Sequence, residues 1–295
     1  MRPDHLLAAL TPWNLPVDGA EPLPGGWNSM TWLVRCRTGA RYVAKLADPS
    51  DAFLNGLRVA ARVHALGLPS GAPVALPDGR LAADLPEGSL ALLEYVPGRP
   101  PDTGSARDLR RLGAILARAH RVLGNDAEDV GEQHKWPWPW ATACLRDIPM
   151  PAHVRQAAVE ALEAAREVAP LLRVGVVNGD PGLDGFRLND HSPALDGLVD
   201  WGAVLQGPVL YDLACVAVLT RDTPHVFGHV LDGYRDADPD VEAELAHLGT
   251  IIRLRWTATA IYFADRIERG QLRGVADADG NRRGLAEAYA GLRDR

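Results

Sequence analysis

Two short apolar runs that each stop at an aspartate constrain this chain more than any other feature. They are Val176-Val177-Asn178-Gly179-Asp180 and Leu198-Val199-Asp200-Trp201-Gly202. Each reads as a buried strand that ends in a carboxylate. Between them lie Phe186-Arg187-Leu188 and the turn-forming Asn189-Asp190-His191-Ser192-Pro193, enough chain for a hairpin that returns the second aspartate beside the first. A single aspartate after a strand is usually a turn cap. Two of them brought together can divide the work of phosphoryl transfer, one orienting an attacking hydroxyl and the other holding a metal against phosphate charge.

The basic residues sharpen this reading. Of the 31 lysines and arginines only Lys45 and Lys135 are lysine. Lys45 sits inside Arg41-Tyr42-Val43-Ala44-Lys45-Leu46, an alternating strand-like segment. The compact ammonium of lysine suits a phosphate cluster in a way that the planar arginine fork does not.

A chain of 295 residues, 47% hydrophobic and 23% charged, has the makeup of a globular protein with a sizeable core. Its net charge of −7 argues against nucleic acid as a partner and mildly favours cationic ligands. The amino terminus lacks a signal-like pattern and no apolar run is long enough to span a membrane, so a cytoplasmic location is expected. Cys36, Cys144 and Cys215 are far apart and read as core residues, not as a disulfide or zinc frame.

The first part of the chain reads as β-rich. Pro24-Gly25-Gly26-Trp27-Asn28-Ser29-Met30 is a turn before the strand Thr31–Cys36, and Leu90–Val96 is a further buried strand. Residues 51–68 carry helical periodicity. Pro97-Gly98-Arg99-Pro100-Pro101 is the strongest break, dividing the chain into residues 1–97 and 98–295. Beyond it helices are expected over 105–123, capped by Ser105, over 151–172, and over 241–270. The run Trp136-Pro137-Trp138-Pro139-Trp140 reads either as a loop packed on the helical part or as an aromatic wall for a cationic substrate.

Together these features resemble the aminoglycoside phosphotransferase and choline kinase group, within the protein-kinase-like fold. The resemblance runs from Leu23-Pro24-Gly25-Gly26 and Tyr42-Val43-Ala44-Lys45, through Leu93-Glu94-Tyr95-Val96-Pro97-Gly98, to Asn178-Gly179-Asp180, Val199-Asp200-Trp201-Gly202 and Leu210-Tyr211-Asp212. It implies an α+β bilobal fold, with a β-rich lobe covering ATP and a mainly helical lobe carrying the chemistry. It also implies nucleotide contacts from Gly25, Gly26, Asn28, Lys45, Glu94 and Val96, with Asp180 as catalytic base. By the same resemblance Asp200 holds Mg²⁺ and Asp212 is a buried support of the catalytic loop.

The sequence also departs from that pattern. The metal-binding asparagine expected five residues after the base is Gly185, leaving the adjacent Asp184 as a candidate oxygen donor. Residues 52–77 contain no Asp or Glu to pair with Lys45. The expected activity is transfer of the γ-phosphate of ATP to a hydroxyl of a small polar, cationic molecule such as an antibiotic or amino alcohol, or of a precursor peptide. A catalytically silent scaffold is the alternative. The acceptor side is expected around Arg253–Trp256 and Tyr262–Arg266, where the arginines suit an anion and Trp256 and Asp265 suit a cation.

Overall fold

The computed structural model describes residues 3–24, 28–272, 274–275 and 277–293. Gly25 and Gly26 therefore lie outside the described residues. The chain opens with helix α1 (Pro3–Ala9) and strands β1 (Val17–Leu23), β2 (Ser29–Cys36) and β3 (Arg41–Ala47). Helix α2 (Asp51–Ala65) and strands β4 (Ala83–Leu85) and β5 (Gly88–Glu94) follow. The strands form one antiparallel sheet in the order β1-β2-β3-β5-β4.

Strand periodicity decides where Lys45 points. Ala44 and Leu46 enter a core that also holds Leu6, Trp13, Trp32, Leu90 and Leu92. Lys45 lies between them and so faces the other side of the sheet. Its register partners are Thr31 on β2 and Ala91 on β5. Ala91 belongs to a second small core with Phe53 and Leu57 of α2. Strand β5 ends at Glu94, two residues before the expected Val96, where its register partner is Tyr42, one residue from the start of β3 at Arg41.

The helical region comprises α3 (Ala106–Leu123), α4 (Pro139–Asp147) and α5 (Ala152–Val168). After the short strands β6 (Val174–Val177), β7 (Phe186–Arg187), β8 (Gly197–Leu198) and β9 (Leu205–Pro208) come α6 (Leu210–Leu219), α7 (Pro224–Ala237), α8 (Leu248–Glu268) and α9 (Ala278–Arg293). Helix α3 begins as expected, with Ser105 Oγ accepting from the Asp108 N–H at 3.3 Å. The helix expected over 241–270 begins only at Leu248. Residues 239–247 form 3₁₀ turns instead, which tuck the buried Glu244 against Arg173; Arg173 also binds Asp238 at 2.8 Å.

The tryptophan run is packing and not a substrate wall. Trp138 is buried and donates its indole N–H to the Gln206 carbonyl at 2.7 Å, while Trp136 and Trp140 pack on the same core. Cys36 and Cys215 are buried and all three thiols are free. No helix among the described residues is long and apolar enough to cross a membrane.

Candidate active site

The two chemical aspartates follow strands of different small sheets: β6 pairs with β9, and β7 with β8. The expected hairpin is β7–β8, in register Phe186↔Leu198 and Arg187↔Gly197. Asn178 then ties the two loops together. Its Nδ2 donates to the Asp200 carbonyl at 3.0 Å, and its Oδ1 accepts from the Asp180 N–H at 3.2 Å. Asn178 thus holds the backbone of both aspartates from a single side chain.

Below this loop lies Asp212, with none of its surface exposed. Its two oxygens accept the N–H groups of Asn178 and Gly179, each at 2.8 Å. His120 Nε2 lies 3.0 Å from the same carboxylate, and His120 Nδ1 lies 2.8 Å from the Tyr234 hydroxyl. The structural carboxylate expected at position 212 is where the sequence placed it, and its partners on α3 and α7 fix the loop from beneath. Gly179 has φ +85°, and a Cβ there would fall 2.0 Å from the Ala203 carbonyl oxygen, so only glycine fits.

Asp200 follows β8 in a left-handed conformation, φ 64°, a state that a non-glycine residue adopts only when its surroundings impose it. One of those surroundings is α2. The Cα of Gly56 approaches so closely that a Cβ would sit 2.4 Å from the Trp201 carbonyl oxygen. The Trp201 indole N–H donates to the Leu198 carbonyl at 2.9 Å, closing the turn.

The missing partner of Lys45 is Asp200 itself, with Nζ 2.6 Å from Oδ1. The lysine side chain is 13% exposed and the aspartate 65%. Dehydration by surrounding protein raises the Asp200 pKa, but the charge and hydrogen bond of Lys45 outweigh it and hold the carboxyl below its ordinary value. Asp200 is therefore ionised and accessible, as a ligand of a hard cation must be. Among the described residues no three His, Cys, Asp or Glu side chains gather into a metal cage. A Mg²⁺ held by one or two carboxylates together with substrate phosphates needs no such cage, so the residues present fit that ion.

Asp180 has a partner that the sequence reading did not find. Arg255 Nη2 on α8 donates to Asp180 Oδ1 at 2.8 Å, and its Nη1 donates to Thr259 Oγ1 at 3.0 Å. Burial lowers the Arg255 pKa, but the opposing charges around it, Asp180 among them, raise it overall. Further along α8, the Tyr262 hydroxyl donates to Asn28 Oδ1 at 3.2 Å and accepts from Arg266 Nη1 at 3.0 Å. Positions 255, 259, 262 and 266 share one helical face, a polar i, i+4, i+7, i+11 pattern legible in the sequence.

The remaining expected residues are placed less centrally. The Glu94 N–H donates to the Ala72 carbonyl at 2.8 Å, so this amide is unavailable to a base; its carboxylate lies 3.5 Å from His64 Nε2. Val96 is buried. Asp184 is exposed in a 3₁₀ turn, with Oδ1 folded over Gly182. A Cβ on Gly185 would lie 3.2 Å from the Val199 carbonyl oxygen.

Comparison with known proteins gives the same picture. A family model described as "Phosphotransferase enzyme family" matches residues 19–245. Among solved structures, the amicoumacin kinase hAmiN in complex with AMP-PNP, Ca²⁺ and Ami is similar with a TM-score of 0.69 and 16% identity, covering 92% of this chain and 87% of that one. A spectinomycin phosphotransferase with ADP and spectinomycin is similar at TM-score 0.62 and 12% identity, covering 99% and 98%. The macrolide 2'-phosphotransferase MphH from Brachybacterium faecium is similar at 0.60 and 17%, covering 99% and 98%. At these identities the likeness establishes the α+β protein-kinase-like fold. No curated protein matches in sequence.

Proposed function

The chain belongs to the phosphotransferase enzyme family, and from that premise we propose that it moves the γ-phosphate of ATP to a hydroxyl of a small, antibiotic-like molecule. The observation that carries this reading is the joint placement of Asp180 and Asp200 by Asn178, with Lys45 on Asp200. In this reading residues 1–97 cover the nucleotide and residues 98–295 carry the chemistry and the acceptor.

The acceptor hydroxyl lies against Asp180, which orients it and takes its proton as the oxygen bonds to the γ-phosphorus and the bond to the β-phosphate oxygen breaks, releasing ADP. Lys45 supplies the point charge for the α- and β-phosphates. The adenine edge meets the backbone of Glu94 through its carbonyl, and of Val96. In this reading Gly25, Gly26 and Asn28 contribute nucleotide contacts. Asp200, with the exposed Asp184 as second oxygen donor, would hold Mg²⁺, which supplies neutralisation of phosphate charge. Most of the acceleration then comes from positioning and electrostatics.

The test is a coupled assay of ADP release with a panel of hydroxyl compounds, with the products checked by mass spectrometry. Acceptor-dependent ADP release that disappears in Asp180→Asn supports the reading. Release that persists in Asp180→Asn contradicts the role given to that residue.

A further inference from the structure

We infer that the acceptor presents a neutral or anionic group, and not an ammonium, beside its reacting hydroxyl, and that Arg255 imposes this choice. The inference rests on the phosphotransferase reading above and names the substrate class of that site.

A carboxylate at the head of a cleft would ordinarily attract cations. Here Arg255 Nη2 already lies 2.8 Å from Asp180 Oδ1, so an ammonium approaching Asp180 meets a guanidinium at hydrogen-bond range of the same oxygen. The Arg255 side chain is 15% exposed and bound to Thr259, which fixes it in place. Its charge is partly desolvated, and repulsion there is stronger than in open water. A carboxylate has two oxygens, so with Oδ1 on Arg255 the hydroxyl still has Oδ2 to bind.

The rest of the α8 face agrees. From Arg255 to Tyr262, about 10 Å, it carries Thr259 and Tyr262 with no carboxylate at the shared positions 255, 259 and 262, while Arg266 beyond them is buried and donates to Asn281 Oδ1 at 3.0 Å. The features that favoured a cation are used elsewhere. Asp265 binds Arg269 at 2.8 Å. Trp256 is buried, with Arg221 near its ring, and Gly291 packs against the indole. Trp138 is inside the core. The chain's net negative charge acts over a distance that salt screens, whereas Arg255 acts at contact.

The experiment uses the full chain with Mg²⁺ and ATP and three sets of hydroxyl compounds. These are polyamino sugars, their fully N-acetylated counterparts, and carboxylate-bearing sugars. The best acceptors of the wild type are expected in the second and third sets, exceeding their amine-bearing counterparts at least tenfold in kcat/KM. Arg255→Gln should narrow that ratio at least tenfold, and Arg255→Glu should invert it, with melting curves and AMP-PNP affinity confirming that both variants are folded. An amine-bearing compound as the best wild-type acceptor, an unchanged ratio in a folded Arg255→Gln, or an enzyme that binds nucleotide yet phosphorylates nothing in any set would each overturn the inference. Failure to bind AMP-PNP with Mg²⁺ at all would instead overturn the phosphotransferase reading beneath it.

Discussion

Lys45 and Asp200, 155 positions apart in sequence, meet at 2.6 Å. Strand β3 points the lysine away from the apolar core, and the turn after β8 holds the aspartate in a left-handed conformation beneath it. In a cleft accessible to water such a pair contributes little to stability, about 0–1 kcal/mol. Its value lies in holding two opposite charges where phosphates and a metal must be divided between them. Lys45→Met is therefore expected to change the unfolding free energy by less than about 1 kcal/mol while weakening nucleotide binding at least tenfold. Denaturant titration and calorimetry on one preparation check both; unaltered affinity would remove the lysine from the phosphate site.

Asp212 is the opposite case. It is fully buried and receives two backbone N–H groups as well as His120. Asp212→Ala strands those donors, and the expected loss is about 3–5 kcal/mol, the range for breaking a buried charged network. His120→Ala, which leaves both backbone bonds in place, should cost less. Equal losses in the two variants would show that the backbone bonds are not the main contribution.

Gly56→Ala tests how closely α2 must approach the Trp201 turn. On an exposed helix the change would stabilise by up to about 1 kcal/mol. Here the new methyl would meet the Trp201 carbonyl oxygen at 2.4 Å, so a loss of about 1–3 kcal/mol is expected. The turn that carries Asp200 would shift with it, lowering turnover with the acceptor. A more stable and fully active variant would show that the contact relaxes freely.

Acid should loosen the anchoring of the segment after the Pro97–Pro101 break onto the start of α3 and the β7–β8 loop. Arg99 binds Asp108 and reaches Asp190 at 2.7 Å, and its hydrogen bonds hold both carboxyls below their ordinary values. Groups whose pKa is depressed by folding bind more protons when unfolded. Their contribution is complete above the unfolded pKa of about 3.9 and is lost as pH falls through the lower folded value. The melting temperature should therefore be flat from about pH 7 to pH 5 as far as these groups are concerned, and fall below about pH 4. Arg99→Gln should be less stable at neutral pH and show a shallower acid limb. An acid limb as steep as the wild type's would place its origin in other carboxylates.

The parts of the site that were legible in the sequence are those with a local pattern. Asp180 and Asp200 end apolar strands, Lys45 interrupts an alternating one, and Asp212 opens a helix that is apolar nearly all round. Arg255 was legible only as one of the arginines expected on the acceptor side; its pairing with Asp180 was not, since that partner lies 75 positions away. The polar stripe of α8 was a usable signal, but locating its target requires the fold. The tryptophan run left two readings open, and the structure takes the packed one, because a conspicuous composition says nothing of which side of a core it faces. The helix expected over 241–270 began late because Glu244 is drawn onto Arg173, a partner 71 positions away that no periodicity records.

The most direct test of the central claim, that Asp200 holds the metal against the nucleotide in a phosphotransferase site, is calorimetric titration with AMP-PNP. It compares wild type and Asp200→Asn, each with and without Mg²⁺. The wild type is expected to bind at least tenfold more tightly with Mg²⁺ than without it, and Asp200→Asn to lose that gain while melting within a few degrees of the wild type. A Mg²⁺-dependent gain of the same size in Asp200→Asn, or no binding by the wild type under either condition, would contradict the account.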